Sequence, residues 1–273
     1  MAGVWQCTGA PIAARRDWGV ESIFRPENLL REARRQKGLP IEQVPPMCAL
    51  DPDGDLVRYL IARHGAKPTA AWPCYHSQLI TWSGIGFVPH AVGASYAVLI
   101  AEQLFASGCR LLISMTSAGQ LRDVATPPYY VVIDRALRDE GTSYHYLPPA
   151  EYAEADPRLL ETLFPAIERA CAGRLLLGGS WTTDAPFRET ESAVTAAAAR
   201  GLMVVEMEAA GLYAFAKARG RAVLCLAHVS NRLGQEGDFE KGEADGAPAS
   251  LRLIMAAAAA LREFGDAYKP VPR

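Results

Sequence analysis

The stretch VVEMEAAGLYAFAKARGRAVLCLAHVSNR, residues 204–232, decides the fold of this chain. An apolar run predicts a strand over residues 203–206, and the pattern after it predicts a helix over residues 208–219. That helix ends at Gly220, because glycine readily adopts the left-handed conformation that stops a helix. A second apolar run predicts a strand over residues 222–229. A strand, a helix and a strand in this order are typical of a βαβ unit in a parallel or mixed sheet.

The same alternation continues on both sides of this stretch. We therefore expect a single three-layer α/β/α domain with a central mixed sheet over residues 47–273. Residues 1–46 are charged and interrupted by prolines, which predicts an N-terminal arm or cap. Apolar runs predict the other strands over residues 48–50, 79–82, 110–115, 129–134 and 174–177, and helical patterns cover residues 95–107, 159–172, 189–200 and 249–264.

Composition excludes several classes of protein. The 273 residues carry 28 Lys and Arg against 30 Asp and Glu, a net charge of −2, which argues against an electrostatic nucleic-acid binder. No apolar stretch reaches the roughly 20 residues that a membrane span needs, and residues 1–20 lack the apolar core of a secretory signal. The six cysteines and five histidines lack metal-like spacing. We expect a cytoplasmic protein with buried free thiols, no metal, and neither nucleic acid nor membrane as a partner.

Two carboxylates flank a methionine at the predicted strand-to-helix junction. Glu206 and Glu208 lie on either side of Met207 inside an otherwise apolar run. Carboxylates are almost never fully buried unless they are paired or liganded. Two vicinal hydroxyls of a sugar would satisfy such a group, and Met207 would pack on the sugar face. The alternative is that the charges complement the positive end of the helix dipole.

Ligands of α/β sheets bind at the carboxyl ends of the strands, so the other strand ends are candidates as well. The turn SMTSAGQL, residues 114–121, offers the hydroxyls of Thr116 and Ser117 and the backbone amide of Gly119 to an anion or a hydroxyl group. The alternative is an ordinary strand end.

A second polar strand end, GSWTTDAPFRET, covers residues 179–190. Arg188 offers a planar bidentate contact to a carbonyl-bearing ligand, and Phe187 offers a stacking face. Asp184 is predicted either to join this site or to cap the helix that begins near Glu189.

The third polar strand end carries Asn231, Arg232, Gln235 and Glu236 before a glycine-rich loop. Such a loop either closes over a site or is simply solvated. The motif GIGFVPH, residues 84–90, lacks the third glycine and the later acidic residue of a dinucleotide site. We interpret Gly84 and Gly86 as allowing a smaller ligand to approach the backbone.

In their order along the chain, these motifs resemble the nucleoside phosphorylase family, specifically its uridine phosphorylase-like branch, over about residues 47–264. Residues 93–121, GASYAVLIAEQLFASGCRLLISMTSAGQL, look like the family's helix, strand and phosphate-binding turn. Residues 139–157, DEGTSYHYLPPAEYAEADP, look like the segment after the next strand. VEMEAAGLYAFA, residues 205–216, resembles the ribose motif, and VSNRLGQE, residues 229–236, resembles the uridine-type last loop.

The resemblance implies cleavage of a nucleoside's N-glycosidic bond, with phosphate as co-substrate attacking C1′ and no other cofactor. By position, Glu208 would accept the ribose hydroxyls, Met207 would pack under the ring and Glu206 would order the strand end. Ser117 would bind phosphate, and Arg188 would stabilise charge on the departing base. Because relatives commonly complete each site with a residue from an adjacent subunit, the resemblance also implies a homo-oligomer, either a dimer or a hexamer.

The resemblance also bears on the choice of base. Purine-acting relatives carry an aspartate where this chain has Asn231, and asparagine cannot protonate a leaving base. Pyrimidine-acting relatives have asparagine followed by arginine, as in Asn231-Arg232 here. This favours a pyrimidine or modified nucleoside.

The chain departs from the family at two phosphate-binding positions. ALDPDGDLVRYL, residues 49–60, replaces the usual Gly-Asp-Pro-x-Arg loop, and Ser114 replaces the arginine expected three residues before Ser117. Phosphate binding depends on such charge-assisted contacts, which Arg58, Arg63, Arg122 or a neighbouring subunit would have to supply. The resemblance predicts a nucleoside phosphorylase, which is a pentosyltransferase. The alternatives are a nucleosidase that uses water and a nucleoside-binding protein without turnover.

Overall fold

The structure is a computed structural model that describes residue 12 and residues 16–232 and 240–264. Within these residues one mixed sheet contains nine strands. They are β1 (Met47–Asp51), β2 (Ile80–Trp82), β3 (Ile85–Pro89), β4 (Leu111–Gln120), β5 (Tyr129–Asp139), β6 (Tyr152–Glu154), β7 (Leu175–Thr183), β8 (Val204–Glu206) and β9 (Ala222–Arg232).

Helices cover both faces of this sheet, which confirms the predicted three-layer arrangement. One apolar core lies between the sheet and helices α3 (Ala94–Ala106) and α7 (Ala209–Arg219). A second core lies between the sheet and helices α2 (Asp55–His64), α5 (Pro157–Ala170) and α8 (Ala247–Phe264). In β4, Leu112 belongs to the first core and its neighbours Leu111 and Ile113 belong to the second, as the alternation of a strand requires. The helices are α1 (Pro26–Lys37), α2 (Asp55–His64), α3 (Ala94–Ala106), α4 (Ser143–Tyr146), α5 (Pro157–Ala170), α6 (Glu191–Ala199), α7 (Ala209–Arg219) and α8 (Ala247–Phe264).

The central strands close into a ring. Strand β4 pairs in parallel with β9 and antiparallel with β8, while β5 pairs in parallel with β7 and antiparallel with β9. Strand β8 also pairs in parallel with β7. The order β4-β8-β7-β5-β9 therefore returns to β4. At one end of this ring, the last residues of β4 pair with β8 on one side and with the last residues of β9 on the other.

The GIGFVPH motif has a different role from the one we inferred. Ser83 and Gly84 form the two-residue turn of the β2–β3 hairpin, with φ of 50° and 76°. Gly86 lies in β3, where a Cβ atom would approach Cys48 Sγ and Leu79 Cδ1 to 2.9 Å. These glycines serve a turn and close packing, and a ligand approach is not needed to explain them.

The N-terminal segment is attached to the sheet's helical layer. Helix α1 packs against α3 through the buried residues Leu30 and Ala33. The indole Nε1 of Trp18 donates to the carbonyl oxygen of Tyr144, at 3.1 Å. No helix among the described residues combines the length and hydropathy of a membrane span.

The contact between α3 and α7 generates a stability prediction. A Cβ atom on Gly211 would lie 2.8 Å from the Cβ of Ala94 and 3.5 Å from Val98 Cγ2. Alanine is favoured over glycine inside a helix by about 1 kcal/mol, but overpacking a core costs about 1–3 kcal/mol. We expect Gly211→Ala to lower the free energy of unfolding by about 1 kcal/mol, measured by urea denaturation. Gly173→Ala is the control, because no atom lies within 4 Å of its Cβ; equal stability of the two variants would contradict the close helix contact.

Candidate active site

Glu206 is buried and fully hydrogen-bonded at the β8–α7 junction. Its Oε2 accepts the backbone amides of Glu208 and Ala209, each at 2.7 Å, so it caps the start of α7. Its Oε1 accepts the hydroxyls of Ser180 and Thr182 on the neighbouring strand β7. Burial raises the pKa of this carboxyl group. Glu206 therefore orders the strand end and the helix that begins there.

Glu208 joins three elements of the fold. Its Oε1 accepts the backbone amide of Gly93, which precedes α3, at 2.7 Å, and its Oε2 accepts the hydroxyl of Thr116 on β4, at 2.9 Å. The residue is only 2% exposed. Burial, together with the neighbouring carboxyl group of Glu206, raises the pKa of Glu208 to about 8. Gly93 was not predicted as a site residue. Its position just before a predicted helix was the feature of the sequence that could have indicated a free backbone amide there.

The other predicted ribose and turn residues lie on or next to the strands that meet at this junction. Met207 is half-buried between the two buried glutamates, as a residue that contacts a ligand should be. Within β4, Ser117 lies opposite His228, and after a bulge Gly119 lies opposite Asn231. Gly119 is also the antiparallel partner of Val205 in β8.

Asn231 and Arg232 lie at the end of β9, and both are half-buried. A guanidinium nitrogen of Arg232 lies 3.4 Å from Asp123 Oδ1. Gln235 and Glu236 lie outside the described residues.

The segment predicted to contact the base is exposed. Phe187 and Arg188 lie in a 3-10 turn, Pro186–Arg188, and the side chain of Phe187 is 100% exposed. Arg188 is exposed as well, so their contact with a base stays a prediction. Asp184 does not cap α6, because Thr190 does so by accepting the amide of Ala193 at 3.3 Å. Asp184 instead accepts the amide of Gly141, at 2.8 Å.

The loop after β1 contributes an acidic group that the sequence analysis did not single out. Asp53 Oδ2 accepts the backbone amide of Ser117, at 3.1 Å. This amide belongs to the residue that the resemblance assigns to phosphate. The signal in the sequence was DPDGD, three acidic residues within residues 51–55. Which of these carboxylates contacts the β4 turn depends on how the loop folds against β4, and the sequence alone does not give this.

Neighbouring groups hold this acidic loop in place. Asp51 is 2% exposed and accepts the amide of Val57, and burial raises its pKa to about 7. Lys241 Nζ lies 2.7 Å from Asp55 Oδ2 and 3.6 Å from Asp53 Oδ2. Gly54 has a φ of 78°, and a Cβ there would lie 2.3 Å from His90 Cε1. The loop is therefore packed closely against its surroundings.

The arginines proposed to replace the missing phosphate ligands are engaged elsewhere or exposed. Arg58 pairs with Asp55 and with Asp245. Arg63 and Arg122 are exposed, and Ser114 is fully buried. The space beside Asp53, Ser117 and His228 has a volume of about 10 Å³. A cavity needs about 10–15 Å³ to hold one water molecule, so this space takes at most a single water.

No group of three or more His, Cys, Asp or Glu side chains is placed to hold a metal ion within the described ranges. Five cysteines fall within those ranges, all of them free thiols, and Cys171 is the one that is half-buried rather than buried.

Comparison with known proteins places this geometry in context. The sequence profile of the phosphorylase superfamily matches residues 54–262. The fold is similar to that of AMP nucleosidase from Bacteroides thetaiotaomicron, with a TM-score of 0.68, 22% identity, and coverage of 81% of this chain and 92% of that one. It is also similar to uridine phosphorylase from Vibrio fischeri, with a TM-score of 0.64, 20% identity, and coverage of 80% and 90%. A third similar structure is purine nucleoside phosphorylase from Toxoplasma gondii, with a TM-score of 0.68, 18% identity, and coverage of 85% of this chain and 96% of that one. At these identities the structural matches show the fold alone.

The raised pKa of Glu208 predicts a pH-dependent stability. The folded protein retains this proton to about pH 8, whereas the unfolded chain releases it near the usual value of 4.5. The contribution of Glu208 to the free energy of unfolding is therefore greatest below about pH 5 and is lost as the pH rises through 8. Because Glu208→Gln removes this titration, the free energy of unfolding of the variant relative to the wild type should increase from pH 5 to pH 8. Denaturant titrations at several pH values measure this, and parallel profiles would contradict the assignment.

Proposed function

The chain belongs to the phosphorylase superfamily, whose members act on N-glycosidic bonds, and we propose that it hydrolyses the N-glycosidic bond of a nucleoside with water as the nucleophile. The observation that carries this proposal is the contact between Asp53 and the Ser117 amide. A carboxylate in that position repels an anion and attracts water. Hydrolysis therefore suits the site better than phosphorolysis does.

The sugar end of the proposed site centres on Glu208. Ribose hydroxyls would bind this carboxyl group where it already holds Gly93 and Thr116, with Met207 against the ring. When a ligand donates two hydroxyls, the ionised form of Glu208 gains two partners, and its pKa falls. An ionised carboxylate beside the sugar also favours the positive charge that develops on the ring in the transition state.

Asp53 is the proposed general base. Its side chain is 33% exposed and so is accessible to a water molecule, while Asp51 caps α2 and Asp55 pairs with Lys241. In the proposed step, a water oxygen bonds to C1′, and the C1′–N bond breaks with its electron pair going to the base. Asp53 takes one proton from the water. The products are ribose and the free base, which acquires a proton.

Asn231 and Arg232 are the residues proposed to contact the nucleobase. They favour a pyrimidine or modified nucleobase that leaves as a delocalised anion. The guanidinium groups of Arg232 and Arg188 would stabilise that anion. Phe187 and Arg188 are exposed in one chain, so we also propose that a second copy in a homo-oligomer, a dimer or a hexamer, covers them. A metal or organic cofactor is not part of this proposal.

Phosphorolysis is the second candidate. The turn that carries Thr116, Ser117 and Gly119 favours it, because its hydroxyls and amides suit an oxyanion. It would require Asp53 to release the Ser117 amide and a cation to turn toward the phosphate, for which Lys241 lies close, 3.6 Å from Asp53 Oδ2.

The two candidates differ in their need for phosphate. We expect uridine or a modified pyrimidine nucleoside to release its base in phosphate-free buffer at a rate within about twofold of that in 10 mM phosphate. The measurement is base release by chromatography over a nucleoside panel. Release that requires phosphate would contradict hydrolysis and support the second candidate. Binding without release would indicate a nucleoside-binding protein.

A matched pair of variants tests the role of Asp53. Asp53→Asn keeps an oxygen for the Ser117 amide but removes the base, so we expect kcat to fall about 100-fold or more with little change in KM. Asp17→Asn, in the exposed N-terminal segment, is the control and should leave kcat unchanged. An unchanged kcat for Asp53→Asn would show that this carboxylate does not activate the nucleophile.

A further inference from the structure

A cavity of about 600 Å³ lies beside the proposed site. The N-terminal segment forms one wall with Phe24 and Leu29, and α3 forms another with Val98 and Leu99. The ring of Tyr146, on α4, forms part of a third. This volume lies in the range of small-molecule sites. The lining surface is mainly apolar, with polar side chains among the lining residues of α3 and α4.

One end of the cavity is lined by residues that are close in sequence to those of the proposed ribose site. Ser95 lines it and is two residues from Gly93, whose amide binds Glu208. Asp184 lines it and is two residues from Thr182, whose hydroxyl binds Glu206. Two residues span at most about 7 Å. The cavity therefore begins close to the groups that hold both glutamates.

A polar cluster lines the far end of the cavity. Glu102 accepts hydrogen bonds from the Tyr146 hydroxyl and from Arg219 Nε, both at 3.1 Å. Helix α3 rises by about 1.5 Å per residue, so its wall from Ser95 to Glu102 is about 10 Å long. An occupant of this length would be apolar along its body.

We propose that this cavity binds an apolar substituent on the base of the nucleoside. The inference rests on the proposed function for the position of the ribose. The base is favoured as the point of attachment because Asp184 belongs to the same strand exit as Phe187 and Arg188, the residues predicted to contact the base. The substrate class is then a base-modified nucleoside with an alkyl or aryl group about 10 Å long or shorter.

Leu99 gives a direct way to fill the cavity. Its side chain is 41% exposed on α3 and lines the cavity, so a larger residue there occupies the space without replacing a core residue. Ile61, on α2, is 46% exposed and is not among the residues that line the cavity. Leu99→Trp and Ile61→Trp therefore form a matched pair.

The test measures binding of C-nucleosides, whose carbon–carbon glycosidic bond neither hydrolysis nor phosphorolysis cleaves. Isothermal titration calorimetry would compare pseudouridine, pseudouridine with a hexyl group on a ring nitrogen, and pseudouridine with a 5′-O-hexyl group. We expect the wild type and Ile61→Trp to bind the base-hexyl compound at least tenfold more tightly than pseudouridine. Leu99→Trp should lose this preference and bind pseudouridine normally.

Three results would overturn the proposal. The base-hexyl compound could bind no better than pseudouridine, or the 5′-hexyl compound could bind best, which would place the cavity at the other end of the sugar. Alternatively, Leu99→Trp could change the sedimentation coefficient, which would show that a second copy of the chain occupies the cavity. The proposed hydrolysis is tested separately, because a base-hexyl preference without any cleavage of N-nucleosides would refute catalysis while leaving the cavity assignment intact.

Discussion

Burying two carboxyl groups next to each other is costly unless donors surround both of them, and this constraint organises the site. Strand β7 supplies two hydroxyls and the start of α7 supplies two amides to Glu206. The loop before α3 and strand β4 supply one donor each to Glu208. The sheet and the helical layer that contains α3 and α7 must therefore pack together before both glutamates are satisfied. The ribose assignment follows from the same constraint, since sugar hydroxyls are additional donors to Glu208.

The alternation of strands and helices was predictable because apolar periodicity reports burial. Strand lengths were less predictable. Strands β4, β7 and β9 continue to Gln120, Thr183 and Arg232, beyond the predicted ends at residues 115, 177 and 229. The added residues include buried hydroxyl groups. Because these residues are polar, the apolar periodicity ends before them and predicts a loop. The hydroxyls of Thr116, Ser180 and Thr182 are buried where the two glutamates accept their hydrogen bonds, and these pairs join residues far apart in the sequence.

Part of the candidate site could be predicted from the sequence, because polar residues at strand ends stand out against the apolar runs before them. The residues at the β8–α7 junction and at the ends of β4 and β9 meet as expected. The contribution of Asp53 was not foreseen, because the acidic loop acts on Ser117 only after β1 and β4 pair in parallel. For Phe187 the sequence instead predicted a contact that the structure does not show. Its sequence context suggested a stacking face, yet its side chain is fully exposed among the residues that the structure describes.

The central claim is that the nucleophile site holds water beside Asp53 while Glu208 holds the sugar. A crystal structure with pseudouridine, grown in the presence of phosphate, tests it most directly. The account predicts ribose hydroxyls on the Glu208 carboxyl group, the Asp53–Ser117 contact intact, and a water molecule between Asp53 and C1′. A phosphate ion bound to the Ser117 amide, with Asp53 displaced, would contradict it.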